Sequence, residues 1–127
     1  MAIKILDVGQ CGFDGPRMAS LWQEQLGATV ERVDSGDEAA EQLGKGKFDL
    51  VLVNRLLARD STSGLDVIKE LLARDASVPV MLVSDKPDAQ EAAVALGAVR
   101  GFGKADLGEP ATIELVRSVA GGERSGS

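Results

Sequence analysis

Short apolar runs alternate with amphipathic stretches along the whole of this 127-residue chain. The runs begin near Ala2, Ala28, Phe48, Val78 and Val99, and a stretch with helical periodicity follows each of them. Strands that alternate with helices in this way pack as a parallel sheet with helices on both faces. The alternation therefore predicts a doubly wound α/β fold of five βα units, and the chain length favours one domain.

Two of the predicted strands are apolar at nearly every position. Phe48–Val53 and Val78–Val83 consist largely of Val and Leu, as is typical of strands that helices cover on both faces. Ala28–Val33 instead mixes polar residues such as Thr29 and Glu31 with apolar ones. We therefore expect the first two strands in the middle of the sheet and Ala28–Val33 at an edge.

Helix boundaries are indicated by proline, glycine and capping residues. Pro16 is expected near the start of the first helix and Gly27 at its end. Ser35, with Glu38 three residues later, forms a capping-box pattern for a second helix that we expect to end at Gly44. Three further residues mark the remaining helix starts: Ser63, Pro87 and Pro110.

The composition excludes several classes of function. With no histidine and one cysteine, the chain cannot build a usual zinc site, a Ser/His or Cys/His nucleophile pair or an internal disulfide. The formal net charge of -6 argues against nucleic acid as a partner. The apolar runs are too short for a membrane span, and no signal peptide is evident, so we expect a cytoplasmic protein.

The domain is expected to occupy residues 1–120. Residues 121–127 contain only Gly, Ser, Glu and Arg, which predicts a flexible tail or the start of a linker. Three Phe, one Trp and no Tyr leave few rings to stack on a flavin or a nucleobase, so no cofactor is expected.

Ligands of open parallel sheets bind where the carboxyl ends of the strands meet, so the residues after each strand are the candidate site. Those residues are Gly9, Gln10, Cys11, Asn54, Arg55, Ser84, Asp85, Gly103 and Lys104. They include no histidine and no convergent pair of acids. We therefore do not expect an independent enzyme.

The runs KILDVGQ, FDLVLVN, SGLDVIKEL, VPVMLVSD and GAVRGFGK give this chain its resemblance to a known family. In order and spacing they resemble the receiver domain of bacterial response regulators over about residues 2–119. The resemblance implies a flavodoxin-like fold with strand order 2-1-3-4-5. In that family an acidic pair holds Mg²⁺, an aspartate after the third strand accepts a phosphoryl group, and a Ser/Thr and a Lys contact its oxygens.

Matched residue by residue, the resemblance implies a degenerate phosphorylation site. The acidic pair falls on Gly9 and Gln10, and the phosphoacceptor falls on Asn54, whereas Ser84 and Lys104 do match. Glycine offers no metal ligand, and an amide nitrogen is not a nucleophile. We therefore expect the family's phosphoryl transfer to fail in this chain.

The family's output residues are also altered. The switch aromatic of the fifth strand falls on Gly101, with Phe102 one place later, and the proline after the lysine is Ala105. The loop between Asn54 and Gly64 is about two residues longer than the common pattern. These departures imply a pseudo-receiver, a signalling module that binds a protein without being phosphorylated.

The expected partner is another protein of unknown identity, and a homodimer is also possible. In the family, the fourth helix, fifth strand and fifth helix form the usual docking surface. We expect the fourth helix to pack four residues against the sheet: Ala89, Ala92, Ala93 and Leu96.

Two alternatives remain open. A receiver that still switches would use another acid, such as Asp7 or Asp60, or a noncovalent phosphate at Ser84 and Lys104. A flavodoxin-like domain would instead bind a small phosphorylated ligand in the Gly9–Gly15 loop. Asp7 lies in an apolar strand, where an unpaired carboxylate costs several kcal/mol. It is expected either to pair with Lys104 as a compensating acid or to meet water or a backbone donor.

Overall fold

The computed structural model describes residues 3–75 and 77–121, so the predicted tail lies outside the described residues except for Gly121. The strands are β1 (Lys4–Val8), β2 (Thr29–Val33), β3 (Leu50–Asn54), β4 (Val80–Val83) and β5 (Val99–Phe102). The helices are α1 (Asp14–Leu26), α2 (Gly36–Lys45), α3 (Gly64–Arg74), α4 (Pro87–Ala95) and α5 (Pro110–Ala120). None of the helices in these ranges has the length and apolar character that crossing a membrane requires.

The five strands form one parallel sheet in the order β2-β1-β3-β4-β5, which confirms the predicted fold class. Interior strands β3 and β4 are buried along their lengths, apart from the last residue of β3. Edge strand β2 is largely exposed, as its mixed composition predicted. The carboxyl ends of β1, β3, β4 and β5 therefore lie side by side at one edge of the sheet.

Alternating side chains of the sheet build a core on each face. On one face Leu6 and Val8 of β1 pack in a cluster with buried residues of α2, α3 and α4. On the other face Ile5 packs with Trp22 of α1 and Val116 of α5. Asp7 follows Leu6 on β1, and the alternation of side chains places it on the same face as Ile5.

The start of α1 agrees with the prediction, and the end of α2 differs from it. Helix α1 begins at Asp14, so Pro16 lies in the first turn, where the backbone N–H groups have no intrahelical partner. Helix α2 continues through Gly44 to Lys45 and is capped by Gly46. A glycine costs only about 1 kcal/mol inside a helix, and Leu43 packs on the core beside it.

The fourth helix also packs differently from the prediction. Leu96 is 38% exposed rather than buried, because α4 ends at Ala95 and the chain turns away. Gln90 instead faces the sheet beside Ala93, and it is only 6% exposed. Gln90 was not among the residues predicted to pack on the sheet, because an amphipathic pattern places glutamine on the solvent side of a helix.

The extended loop between β3 and α3 is a compact turn. Leu56 and Ser63 form an isolated antiparallel bridge, and the backbone N–H of Leu57 donates to Thr62 O at 2.9 Å. The Leu57 side chain is 2% exposed and belongs to the core cluster on the α2–α4 face. The additional residues of this loop are therefore anchored to the core.

Candidate functional site

A shallow cleft of about 370 Å³ lies at the carboxyl ends of β3, β4 and β5. It is lined by Asn54, Arg55, Leu56, Val83, Ser84, Asp85, Lys86 and Lys104. The fold thus brings together three of the five residues predicted for the degenerate phosphorylation site: Asn54, Ser84 and Lys104. Gly9 and Gln10 are not among the lining residues.

Asn54, the last residue of β3, has a structural role in this cleft. Its Nδ2 donates to Leu56 O at 2.7 Å and to Gly9 O at 3.2 Å. Both protons of the amide are therefore used to join the β1–α1 loop to the β3–α3 loop. An aspartate here would present an acceptor to two carbonyl oxygens, so this arrangement is specific to an amide.

Gly9 has a left-handed backbone conformation that favours glycine. Its φ is +80°, and a Cβ atom at this position would lie 2.5 Å from Leu57 Cγ and 3.1 Å from Leu57 Cα. Because the β3–α3 turn closes over Gly9, an acid cannot be restored at this position without moving that turn. Gln10 follows and is 4% exposed, and its side-chain amide has no hydrogen-bond partner among the described residues.

Ser84, which follows β4, is bound at all of its polar backbone and side-chain groups. Its N–H donates to Phe102 O at 2.9 Å, and its Oγ accepts from the N–H of Lys86 at 3.1 Å. Lys86 is the residue that precedes α4. Ser84 therefore supports the start of α4.

Lys104 forms an ion pair that the sequence did not reveal. Its Nζ donates to Asp14 Oδ2 at 2.8 Å, and the two side chains are 28% and 18% exposed. The hydrogen bond from Lys104 holds the pKa of Asp14 below its ordinary value. The sequence signal that could have indicated this partner is the position of Asp14, an acid in the first turn of α1. The expectation that Asp7 pairs with Lys104 is therefore wrong, because Asp14 occupies that place.

Asp7 is 1% exposed, and neither of its carboxyl oxygens has a hydrogen-bond partner among the described residues. No backbone donor among the described residues reaches it, contrary to that part of the second expectation. Burial raises the pKa of Asp7 to about 7, although the Gln10 amide, which is near but outside hydrogen-bonding geometry, and the charges of Arg32 and Lys104 act in the opposite direction. The carboxyl group therefore keeps its proton to a higher pH than an exposed aspartate does.

Asp60, the other candidate acid, lies away from the cleft. Its carboxylate accepts from the N–H of Thr62 at 3.0 Å and from the Thr62 hydroxyl, which lowers its pKa. It lines a separate pocket of about 280 Å³ together with Asp37, Asp66 and Glu70. The structure thus brings neither Asp7 nor Asp60 to the cleft that contains Ser84.

Three backbone amides of the Gly9–Gly15 loop already have hydrogen-bond partners. Gly9 N–H donates to Val33 O at 2.9 Å, Gly15 N–H donates to Cys11 O at 2.9 Å, and Asp14 N–H contacts Cys11 Sγ at 3.2 Å. The Arg32 guanidinium lies directly against Gly15. These three amides are not free to bind an anion. In the part of the chain that the structure describes, no group of three His, Cys, Asp or Glu side chains could hold a metal ion.

Gly101, the residue predicted for the switch position in β5, carries no side chain. A Cβ atom at Gly101 would collide with Leu82 O and lie 3.2 Å from Met81 Cβ. The neighbouring Phe102 is 6% exposed, and its ring makes an edge contact with Trp22 at 5.7 Å between centroids. Phe102 is therefore a core residue on the α1 and α5 face.

Comparison with known families and structures agrees with this geometry. Residues 14–105 match the model of the response regulator receiver domain, and no curated protein matches the chain by sequence. NtrX from Brucella abortus is similar with a TM-score of 0.80 and 20% identity, over 98% of this chain and 29% of that chain. This chain thus spans less than a third of the NtrX length.

Two structures of isolated receiver domains are also similar. The receiver domain of a DNA binding response regulator (merR) from Colwellia psychrerythraea 34H has a TM-score of 0.75 and 18% identity, over 94% of this chain and 98% of that chain. The receiver domain of an HD domain-containing protein from Pseudomonas fluorescens Pf-5 has a TM-score of 0.80 and 17% identity, over 98% and 91%. At such identities the likeness establishes the fold alone.

Proposed function

Because this chain belongs to the response regulator receiver domain family, we propose that it is a pseudo-receiver that acts in signal transduction without being phosphorylated. Receiver domains are generally signalling modules rather than enzymes, and they act by binding other proteins. The proposal adds that the binding surface of this chain is fixed. It is not switched by a phosphoryl group.

The observation that carries the proposal is that an amide, Asn54, stands at the end of β3 with both of its protons hydrogen-bonded. Phosphoryl transfer in this family needs a carboxylate oxygen as the nucleophile at the end of β3, and an amide supplies none. The Asn54 amide also donates both protons to backbone carbonyls, at 2.7 and 3.2 Å. The residue is therefore suited to holding two loops together.

The neighbouring positions support the same function. Gly9 has no side chain, and the closed turn at Leu57 leaves no room for one. Lys104 is paired with Asp14 at 2.8 Å, so its charge is already compensated in the absence of a phosphoryl group. A site with no acceptor and a compensated lysine has no electrostatic reason to change with a phosphodonor.

The proposed docking surface consists of α4, β5 and α5. Val94 and Leu96, at the end of α4, are 41% and 38% exposed, respectively. Exposed apolar side chains of this size are suitable anchors for a protein partner. A partner would bury these two side chains.

A noncovalent phosphate is the second candidate, and one observation favours it. Arg55, Lys86 and Lys104 line the cleft, and among the described lining residues Asp85 is the one acid. Even with Lys104 paired to Asp14, the charges of Arg55 and Lys86 outweigh that of Asp85, which favours a small anion. Titration of inorganic phosphate, followed by amide chemical shifts, would support this candidate only if Ser84 and Lys86 respond and the Arg55→Gln variant binds more weakly.

The intact mass of the protein after incubation with acetyl phosphate and Mg²⁺ tests the primary proposal. We expect no gain in the native protein, while a receiver domain with all its acids, treated in parallel, gains one phosphoryl group. An Asn54→Asp variant shows whether the missing carboxylate alone is responsible. A base-labile single gain in the native protein would mean that another carboxylate is phosphorylated, and the proposal would be wrong.

A further inference from the structure

Gln90 is a buried polar residue on the side of α4 that faces the sheet. It is 6% exposed, and its neighbour on the same face, Ala93, is fully buried. A glutamine in this environment is costly unless its amide finds hydrogen-bond partners. Its partners therefore reveal what the residue does.

The Gln90 amide bonds to both strands beneath it. Its Nε2 donates to Leu82 O at 2.9 Å and to Ser84 O at 3.1 Å, and it lies 3.5 Å from Phe102 O. Its Oε1 accepts from the N–H of Gly101 at 2.9 Å. One side chain thus connects α4 with β4 and with β5.

These backbone groups need a partner because the β4–β5 ladder is irregular at this point. Met81 pairs with Val99 and Val83 pairs with Phe102, so β5 contains one more residue than β4 between the two pairs. Such a bulge leaves backbone groups without their ladder partners. Gln90 supplies partners to Gly101 N–H and Leu82 O, which both lie within this segment.

We propose that Gln90 is a clamp that locks α4 to β4 and β5. It thereby holds Ser84 and Gly101, the residues predicted to move in a switching receiver, in one conformation. The signalling consequence rests on the proposed function, because a fixed surface suits a receiver that is not phosphorylated. The clamp itself rests on the hydrogen bonds of Gln90, and the exchange experiment below measures their effect.

Ser84 shows why the clamp opposes switching. Its N–H is bonded to Phe102 O at 2.9 Å, its carbonyl to Gln90 at 3.1 Å, and its hydroxyl to the N–H of Lys86 at 3.1 Å. Movement of Ser84 into the cleft would break these bonds and leave the buried Gln90 amide with fewer partners. At Gly101 there is no side chain whose rotation would compensate for that loss.

Amide hydrogen exchange and relaxation dispersion on the isotopically labelled protein test the clamp. In the native protein we expect the Gly101 amide to exchange as slowly as the central amides of β3, with no millisecond exchange broadening at Ser84, Gly101 or Phe102. Gln90→Met keeps the length of the side chain and removes its hydrogen bonds. We expect it to speed exchange at Gly101 by about tenfold, the effect of losing one buried hydrogen bond.

Gln23→Met, the same change on the exposed face of α1, serves as the matched control and should leave Gly101 unaffected. Fast exchange or millisecond broadening at Gly101 in the native protein would overturn the clamp, even if Gln90→Met fails to fold. Unchanged slow exchange in a folded Gln90→Met would overturn it as well. A mass gain with acetyl phosphate would overturn the proposed function while leaving the exchange result, and hence the clamp, intact.

Discussion

Replacing the buried acid Asp7 by asparagine tests how this fold responds to pH. Burial raises the pKa of Asp7 from 3.8 to about 7, and the carboxyl is 1% exposed with no hydrogen-bond partner among the described residues. The folded state therefore holds the proton more tightly than the unfolded state does. As a result, the free energy of unfolding falls as the pH rises from about 4 through about 7.

The size of the effect follows from the pKa difference. A change from 3.8 to about 7, at about 1.4 kcal/mol per pH unit, corresponds to about 4 kcal/mol over the whole range. About 3 kcal/mol of this loss falls between pH 5 and pH 8.5, because the remainder falls below pH 5, where the unfolded chain titrates. A neutral side chain at position 7 removes this contribution.

Urea denaturation at pH 5 and pH 8.5 measures the effect. We expect Asp7→Asn to gain about 3 kcal/mol relative to the native protein on going from the lower to the higher pH. Asp66→Asn, which changes an exposed acid of α3, should show no comparable gain. If the native protein and Asp7→Asn lose stability equally between the two pH values, the assignment of a buried protonated carboxyl is wrong.

Three further substitutions probe the loops around the cleft. Gly9→Asp should lower the free energy of unfolding by about 2 kcal/mol or more, because φ is +80° and Leu57 blocks the side chain. An unchanged melting temperature would contradict this expectation. Leu57→Ala should cost about 2–5 kcal/mol in chemical denaturation, since the side chain is 2% exposed, and a loss below about 1 kcal/mol would show that the turn is not anchored. Asp14→Asn and Lys104→Met, combined in a double-mutant cycle, should show a coupling of about 1 kcal/mol or less that weakens with salt, and zero coupling at low salt would refute the pair.

Much of the fold could be predicted from the sequence, because the share of apolar residues in a strand indicates how far that strand is buried. The apolar runs that became β3 and β4 can only lie between covering helices, and the polar residues of β2 require an edge. Gly27 ends α1 as predicted, and it does so in the left-handed conformation. Gly44 shows the limit of such signals, because packing of Leu43 extends the helix past a weak local stop.

The candidate site was less predictable, because its contacts join distant parts of the chain. The pattern placed Asn54, Ser84 and Lys104 together, since all follow strands of one sheet. It did not reveal Asp14 as the partner of Lys104, because the two residues are separated by 90 positions. Gln90 was missed since its role depends on a bulge in β5, which no periodicity predicts.

The most direct test of the central claim is the amide spectrum of the labelled protein before and after addition of acetyl phosphate and Mg²⁺. The account predicts that the amides of Ser84, Gly101 and Phe102 keep their positions and that the intact mass is unchanged. A shift of these three amides together with the gain of one phosphoryl group would show a receiver that still switches, and it would contradict the account.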